Sequence, residues 1–231
     1  MKYGTTLYKD NDIYRVLKFS DRSTWLKGRK TGIGGSDASA ALGMNRWKTN
    51  RDLWKEKTGR ADPEDISDKD VVIYGQRKEP DLRKDFAIDF EDIYEVQYMD
   101  NVTLQSVEHP ELLYSPDGLL IEKETGRKGI LEIKTHAVRT SADWNDWREK
   151  IGINEYYIQV LHGLNVTGFA FVELRAELKR SNQYKQIRTY HIDTADYGVL
   201  EDIEFVSDGV LKFWNEYVVP DREPGLILPA I

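Results

Sequence analysis

Cysteine is absent from the 231 residues. Disulfides, a thiol nucleophile, a zinc ribbon and a thiolate-held iron–sulfur cluster are therefore excluded. No apolar run approaches the roughly 18–20 residues that span a bilayer. The start, Met1-Lys2-Tyr3-Gly4-Thr5-Thr6, carries no apolar stretch of the kind a secretory signal needs. An excess of positive charge is missing too, since 33 Lys and Arg stand against 40 Asp and Glu for a net charge of −7. Such a chain lacks the long-range field that concentrates proteins on nucleic acid, which speaks against a histone-like or nonspecific binder. These absences lead us to expect a soluble intracellular protein with no membrane partner. With 40% apolar residues and six Trp, the chain is expected to form one well-buried domain over residues 1–231.

The charge is unevenly placed. Arg15 to Arg60 holds 12 basic and 4 acidic residues, whereas Ala61 to Glu124 holds 6 basic and 18 acidic. Thr49-Asn50-Arg51-Asp52 has the form of a capping box, and Gly59 ends the short helix that carries Leu53 and Trp54. A second helix is predicted from about Tyr74 to Phe90, with Leu82, Phe86 and Phe90 on one stripe. Pro80 places its regular part from about Glu79 onward. Gly118 to Ile121 and Gly129 to Lys134 are β-rich and joined across Glu124-Thr125-Gly126, which predicts a hairpin. Further strands are predicted from Gly168 to Leu174 and from Gln186 to Ile192. Helices are predicted after Ser141, from about Asn154 to Leu164, and after Thr194. Strands interleaved with helices indicate an α/β layer fold around a mixed sheet.

One stretch combines groups with chemistry. In a strand, Glu132 and Lys134 project from one face about 6–7 Å apart, while Leu131 and Ile133 turn to the core. Asp117 stands one residue before the partner strand, so two carboxylates and a lysine converge at one end of a sheet. Carboxylates this close repel unless one takes a proton or a cation sits between them. A hard cation such as Mg²⁺ suits oxygen ligands and retains waters for reaction at phosphorus. Glu79 shares the inward stripe with Leu82 and Phe86, and its bland alternative is an exposed pair with Arg83. Tyr156 and Gln159 flank the core face of their helix as hydrogen-bonding groups. Gly32-Ile33-Gly34-Gly35-Ser36 can wrap backbone N–H groups around an anion as a helix begins, with Arg29 and Lys30 beside it.

Taken together, Glu79, Pro116-Asp117, Glu132-Ile133-Lys134 and Tyr156-x-x-Gln159 resemble the PD-(D/E)xK nuclease core. The stretch from Trp25 to Asp37 is similar to the signature of YqaJ-type viral recombinases, the family related to phage lambda exonuclease. The resemblance runs from about Trp25 to Gly163 with every element in family order. It implies a restriction-endonuclease-like mixed sheet flanked by helices. It also implies a Mg²⁺-dependent 5′–3′ exonuclease acting on one strand of linear duplex in phage or prophage recombination, inside a bacterial host cell. Asp117, Glu132 and the Ile133 carbonyl would hold the principal metal, and Glu79 a second, with Mn²⁺ able to substitute. Lys134 would orient or deprotonate the attacking water, Gln159 and Tyr156 would steady it, and Arg29 and Ser36 would hold the 5′-phosphate. The implied partners are duplex DNA ends, two further copies in a ring-shaped homotrimer, and a single-strand annealing protein. An endonuclease on the same core and a non-catalytic DNA-end-binding protein remain as alternatives.

Other residues are expected to be structural. His109, His136, His162 and His191 show no metal-ligand spacing, and His136 is expected at a solvated strand end. Trp25, Trp47 and Trp54 are expected in the core and Val71-Val72-Ile73 in a packed strand. The segment from Val218 to Ile231 carries no motif and is expected to dock on a neighbouring subunit.

Overall fold

The computed structural model describes residues 1–181 and 184–228. Among these, six strands form a mixed sheet in the order β1 (Lys2–Tyr3), β3 (Tyr94–Tyr98), β6 (Gly118–Glu122), β7 (Lys128–Ala137), β8 (Phe171–Lys179) and β9 (Lys185–Asp193). The strands β2 (Tyr14–Lys18), β4 (Val102–Ser106) and β5 (Leu113–Tyr114) form a second, smaller sheet. The predicted hairpin is present, with Gly118 opposite Leu131 and Ile121 opposite Lys128 in antiparallel register. Strands β7 and β8 run parallel. A parallel pair needs a long crossover, and the chain supplies it through α5 (Ser141–Asp146) and α6 (Asn154–Thr167).

Side-chain alternation divides the core. Leu120, Leu131, Ile133 and Phe171 meet Leu82 and Phe86 of helix α4 (Asp70–Asp89) on one face. Leu119, Ile130, Val172 and Leu174 join the larger core on the other. That second core includes α2 (Gly35–Ala41), α3 (Asn50–Lys57), α6 and α7 (Val199–Phe213). Strand β7 is thus covered on both sides, as parallel pairing demands. The face that carries Glu132 and Lys134 is not a solvent face.

The capping box at Thr49 forms as predicted, with Thr49 and Asp52 bonded reciprocally. Helix α4 differs from expectation. It begins at Asp70, takes Val71, Val72 and Ile73 into its first turns and continues through Pro80. An interior proline costs about 3 kcal/mol, and burying Leu82 and Phe86 returns about 1.5–3 kcal/mol each. The helix also lies close to β7, where a Cβ on Gly75 would come within 3.1 Å of the Thr135 hydroxyl.

Trp54 is core as expected, but Trp47 is 64% exposed. The preceding Arg46 is pulled onto Glu155 by two side-chain bonds and stacks its guanidinium over the Trp47 ring. His136 is not solvated; it bonds Asp143 at 3.0 Å and stacks on Trp147. The end of the chain docks on its own α3. Asn50 donates to the Gly225 carbonyl at 2.7 Å and accepts from the Ile227 N–H at 3.1 Å, while Arg60 pairs with Asp221. The described part of this segment ends at Leu228; residues 229–231 lie outside the described residues. No described helix is long and apolar enough to cross a membrane.

His162 of α6 is fully buried, with Nε2 3.1 Å from the Leu113 carbonyl. A carbonyl can only accept, so Nε2 carries the proton, and Nδ1 has no hydrogen-bond partner among the described residues. Burial depresses its pKa from 6.5 to about 4. Between those values the unfolded chain binds more protons, so stability is full above pH 6.5 and falls as pH drops through 4, by about 3 kcal/mol in all. We expect urea unfolding of His162→Gln to lose about 3 kcal/mol less than the parent between pH 7 and pH 4. Equal losses would show that His162 does not govern this limb.

Candidate active site

Six described segments deliver candidate side chains to one cavity of about 360 Å³. Strand β7 contributes Glu132, Ile133 and Lys134, the approach to β6 contributes Asp117, and α4 contributes Glu79. Helix α6 contributes Gln159. Across from them stand Arg29, in the helical turn that follows α1 (Arg22–Gly28), and Ser36 in the first turn of α2. Tyr156 does not line the cavity. It lies one helical turn from Gln159, with its ring centroid 5.1 Å from the Lys134 ammonium. The structure therefore gathers every candidate residue into one neighbourhood.

Glu132 is only 2% exposed. Lys134 and Gln159 both donate to its Oε1, at 2.5 and 2.6 Å, and the Tyr114 hydroxyl donates to Oε2 at 2.6 Å. Burial disfavours the Lys134 charge, but Glu132 and Asp117 outweigh it and raise the lysine pKa above its ordinary value. The side chain is held as an ammonium that donates. Asp117 accepts the Ile133 N–H at 2.7 Å. Burial, then the charges of Glu132 and Glu79, push its carboxyl well above the usual range, against the pull of Lys134. This is the repulsion that the sequence spacing implies, now with a buried site to intensify it.

The oxygen donors fit a divalent cation. The N–H and C=O of a strand residue face the same edge, so the Ile133 carbonyl opens on the Asp117 side, beyond the last β6 pair. Among the described residues no three carboxylates or imidazoles close into a cage. Mg²⁺ needs none, because it is typically held by one or two carboxylates with waters and phosphates completing its shell. Asp117 and Glu132 with the Ile133 carbonyl match that pattern. Glu79 stands apart, bonded by Arg83.

Opposite the carboxylates, Arg29 donates to Ser36 Oγ at 2.7 Å and stacks over Trp25. Beneath them lies a partly buried ion pair that the sequence does not announce. Lys57 donates to Asp37 at 2.8 Å and to the Arg29 carbonyl at 3.2 Å. Burial opposes the Asp37 charge, yet Lys57, Lys48 and Arg29 together hold its carboxyl below the usual range. The pair is 20 residues apart on two helices, and only the local excess of basic residues hints at it. Tyr114 was missed as well, although it heads the run Tyr114-Ser115-Pro116-Asp117. Arg83 does pair with Glu79 at i,i+4, but it is buried against the Tyr98 ring rather than exposed.

Comparison with known proteins bears on the family and the fold. A family model described as the YqaJ-like viral recombinase domain matches residues 24–170, more than half of the chain. The Bacillus subtilis (strain 168) protein YqaJ is 31% identical over 211 residues, covering 89% of this chain; the chain spans 59% of that relative's length. The crystal structure of an alkaline exonuclease (LHK-Exo) from Laribacter hongkongensis superposes with a TM-score of 0.60 at 17% identity, covering 86% of this chain and 96% of that one. The same enzyme in complex with dAMP gives a TM-score of 0.58 at 16% identity, covering 84% and 93%. These two structures share the fold described above, a mixed sheet flanked by helices. By its sequence the chain belongs to the YqaJ-like viral recombinase family.

Proposed function

We propose that this chain is a divalent-metal-dependent deoxyribonuclease that degrades one strand of linear double-stranded DNA from its 5′ end during phage-type recombination. One observation carries the reading: the Asp117–Glu132–Lys134 cluster and the Arg29–Ser36 pair line the same cavity. A strand whose terminal phosphate sits on Arg29 and Ser36 then has its first internucleotide phosphates beside the carboxylates. That favours an exonuclease over an endonuclease. Family membership and the fold shared with an alkaline exonuclease support it.

When bound, Mg²⁺ or Mn²⁺ supplies charge neutralisation on the non-bridging phosphate oxygens and lowers the pKa of water. Asp117, Glu132 and the Ile133 carbonyl are the residues to hold it, and Glu79 is the residue to serve a second ion once released from Arg83. Lys134 orients the attacking water and offers a positive charge to the reacting phosphate. Gln159 spends its amide N–H on Glu132 and keeps its own carbonyl for that water, while the Tyr156 ring limits how far Lys134 can swing. Arg29 and Ser36 bind the 5′-phosphate; an arginine and a hydroxyl make charge-assisted bonds to it. The reading extends to a homotrimer around DNA and a single-strand annealing partner, on the strength of the family alone.

In Mg²⁺ the protein is expected to shorten linear 5′-phosphorylated duplex and to spare closed circles. Nicked circles would turn the reading to an endonuclease, and no cleavage of either to a DNA-end-binding protein. A charged hydrogen bond is worth about 1.5–3 kcal/mol. Arg29→Ala is accordingly expected to reduce the preference for 5′-phosphate over 5′-hydroxyl ends by about 10-fold to 100-fold. An undiminished preference would remove Arg29 from the end pocket.

A further inference from the structure

Among the described residues three side chains donate to Glu132, and the one on Oε2 comes from outside the motif residues. A carboxylate has about four lone-pair sites on its two oxygens. Lys134 and Gln159 occupy Oε1, and Tyr114 takes one site on Oε2, 2.6 Å away. Rotation of a carboxylate about its last torsion is soft, so what fixes Oε2 fixes the ligand.

The Tyr114 ring is held firmly enough to do this. Its strand pairs with β4, Leu104 opposite Tyr114. Beside it, the Leu113 N–H bonds the Ile33 carbonyl at 2.9 Å and the Leu113 carbonyl accepts from His162. Two helices press glycines against the ring. A Cβ on Gly163 of α6 would lie 2.6 Å from the ring Cζ, and one on Gly35 of α2 would lie 3.1 Å from its edge. A side chain at Gly163 would displace the hydroxyl from Glu132. Gly35 immediately precedes Ser36, so the seat of this ring is also the first turn of the helix that carries the end pocket.

We infer that Tyr114 is a positioning residue whose hydroxyl sets the orientation in which Glu132 receives a divalent cation, and which ties that orientation to the seating of α2. The inference rests on the reading of Asp117 and Glu132 as cation ligands. Partners of this kind commonly govern metal affinity or activity by 10–100-fold. Tyr114→Phe keeps the ring and its glycine seat and removes only the hydroxyl. With the full chain and no DNA, calorimetric titration with Mg²⁺ should show affinity lowered about tenfold or more. The Mg²⁺ concentration for half-maximal DNA cleavage should rise by a similar factor, with the rate recovering at high Mg²⁺. Gly163→Ala, which moves the ring and keeps the hydroxyl, should shift both readouts in the same direction. A role in packing alone would lower Tm and leave the half-saturating Mg²⁺ in place. Parental Mg²⁺ affinity in both variants overturns the inference. Tighter binding in Tyr114→Phe also does, because the phenol would then only damp the Glu132 charge. A parent chain that takes up no Mg²⁺ instead overturns the ligand assignment beneath it.

Discussion

Lys134→Ala is expected to lower the rate of duplex degradation by about 10³-fold or more while leaving DNA affinity within a few-fold of the parent. The expectation follows from position. The ammonium lies at the edge of the cavity, 2.5 Å from Glu132, with Tyr156 behind it. A positioned proton-transfer or orienting group contributes about 10²–10⁴, and a charge aimed at the developing phosphorane adds electrostatic stabilisation. On the proposed reading DNA binding rests on other groups, chiefly Arg29 and Ser36, so the loss should fall on kcat rather than on KM. Single-turnover cleavage with saturating enzyme separates the two. The two donors that remain on Glu132, Tyr114 and Gln159, keep the buried carboxylate partnered, and circular dichroism should show an intact fold. A variant retaining more than about a tenth of the parental rate would take Lys134 out of the chemistry.

Asp117→Asn should separate stability from activity. The amide oxygen can still accept the Ile133 N–H, so the shape of the site is kept while one buried negative charge is lost. In the metal-free chain that charge is unwelcome: burial, Glu132 and Glu79 all raise the Asp117 pKa. Because the folded pKa lies above the unfolded one, the penalty is absent below the ordinary carboxylate range and grows as pH rises through the folded value. In chelator at neutral pH the variant is therefore expected to melt a few degrees higher than the parent. The difference should vanish in acid. Mg²⁺ should raise the Tm of the parent and leave that of Asp117→Asn nearly unchanged. Cleavage should fall by about 10³-fold or more, since an amide is a poor ligand for a hard cation. Functional sites of this kind trade stability for charge. A variant that melts lower than the parent in chelator would show that Asp117 is not under repulsion.

Much of this site was readable because its residues sit where local periodicity puts them. Glu132 and Lys134 share a strand face by the two-residue repeat, and Glu79 shares a helical stripe with Leu82 and Phe86. The hairpin between β6 and β7 was legible from its β-rich arms and central glycine. What stayed hidden depends on contacts distant in the chain. Strand β1 pairs Lys2 with Gln97, and β2 pairs Tyr14 with Ser106; neither short strand announces its partner. Tyr114 reaches Glu132 only because β5 and β7 are brought together, and Lys57 reaches Asp37 only because α2 and α3 pack. Pro80 misled because a local rule against proline was outweighed by burial of the residues after it. Trp47 misled in the other direction, since a large aromatic usually packs inward and this one is held out beside a paired arginine.

The −7 charge also changes meaning once placed. The basic run from Arg15 to Arg60 supplies Arg29 to the proposed end pocket and Lys57 to the Asp37 pair beneath it, while the acidic remainder includes Glu79, Asp117 and Glu132 around the proposed cation.

The most direct measurement is the order in which label leaves a linear duplex. The substrate carries a 5′-phosphate on one strand, a label on its 5′-terminal nucleotide and a second label at the 3′ end of the same strand. On the proposed reading, with Mg²⁺ present, the 5′ label is released early as mononucleotide while the 3′ label remains in a shortening strand. Early release of the 3′ label, or loss of both labels through internal cuts, would contradict it.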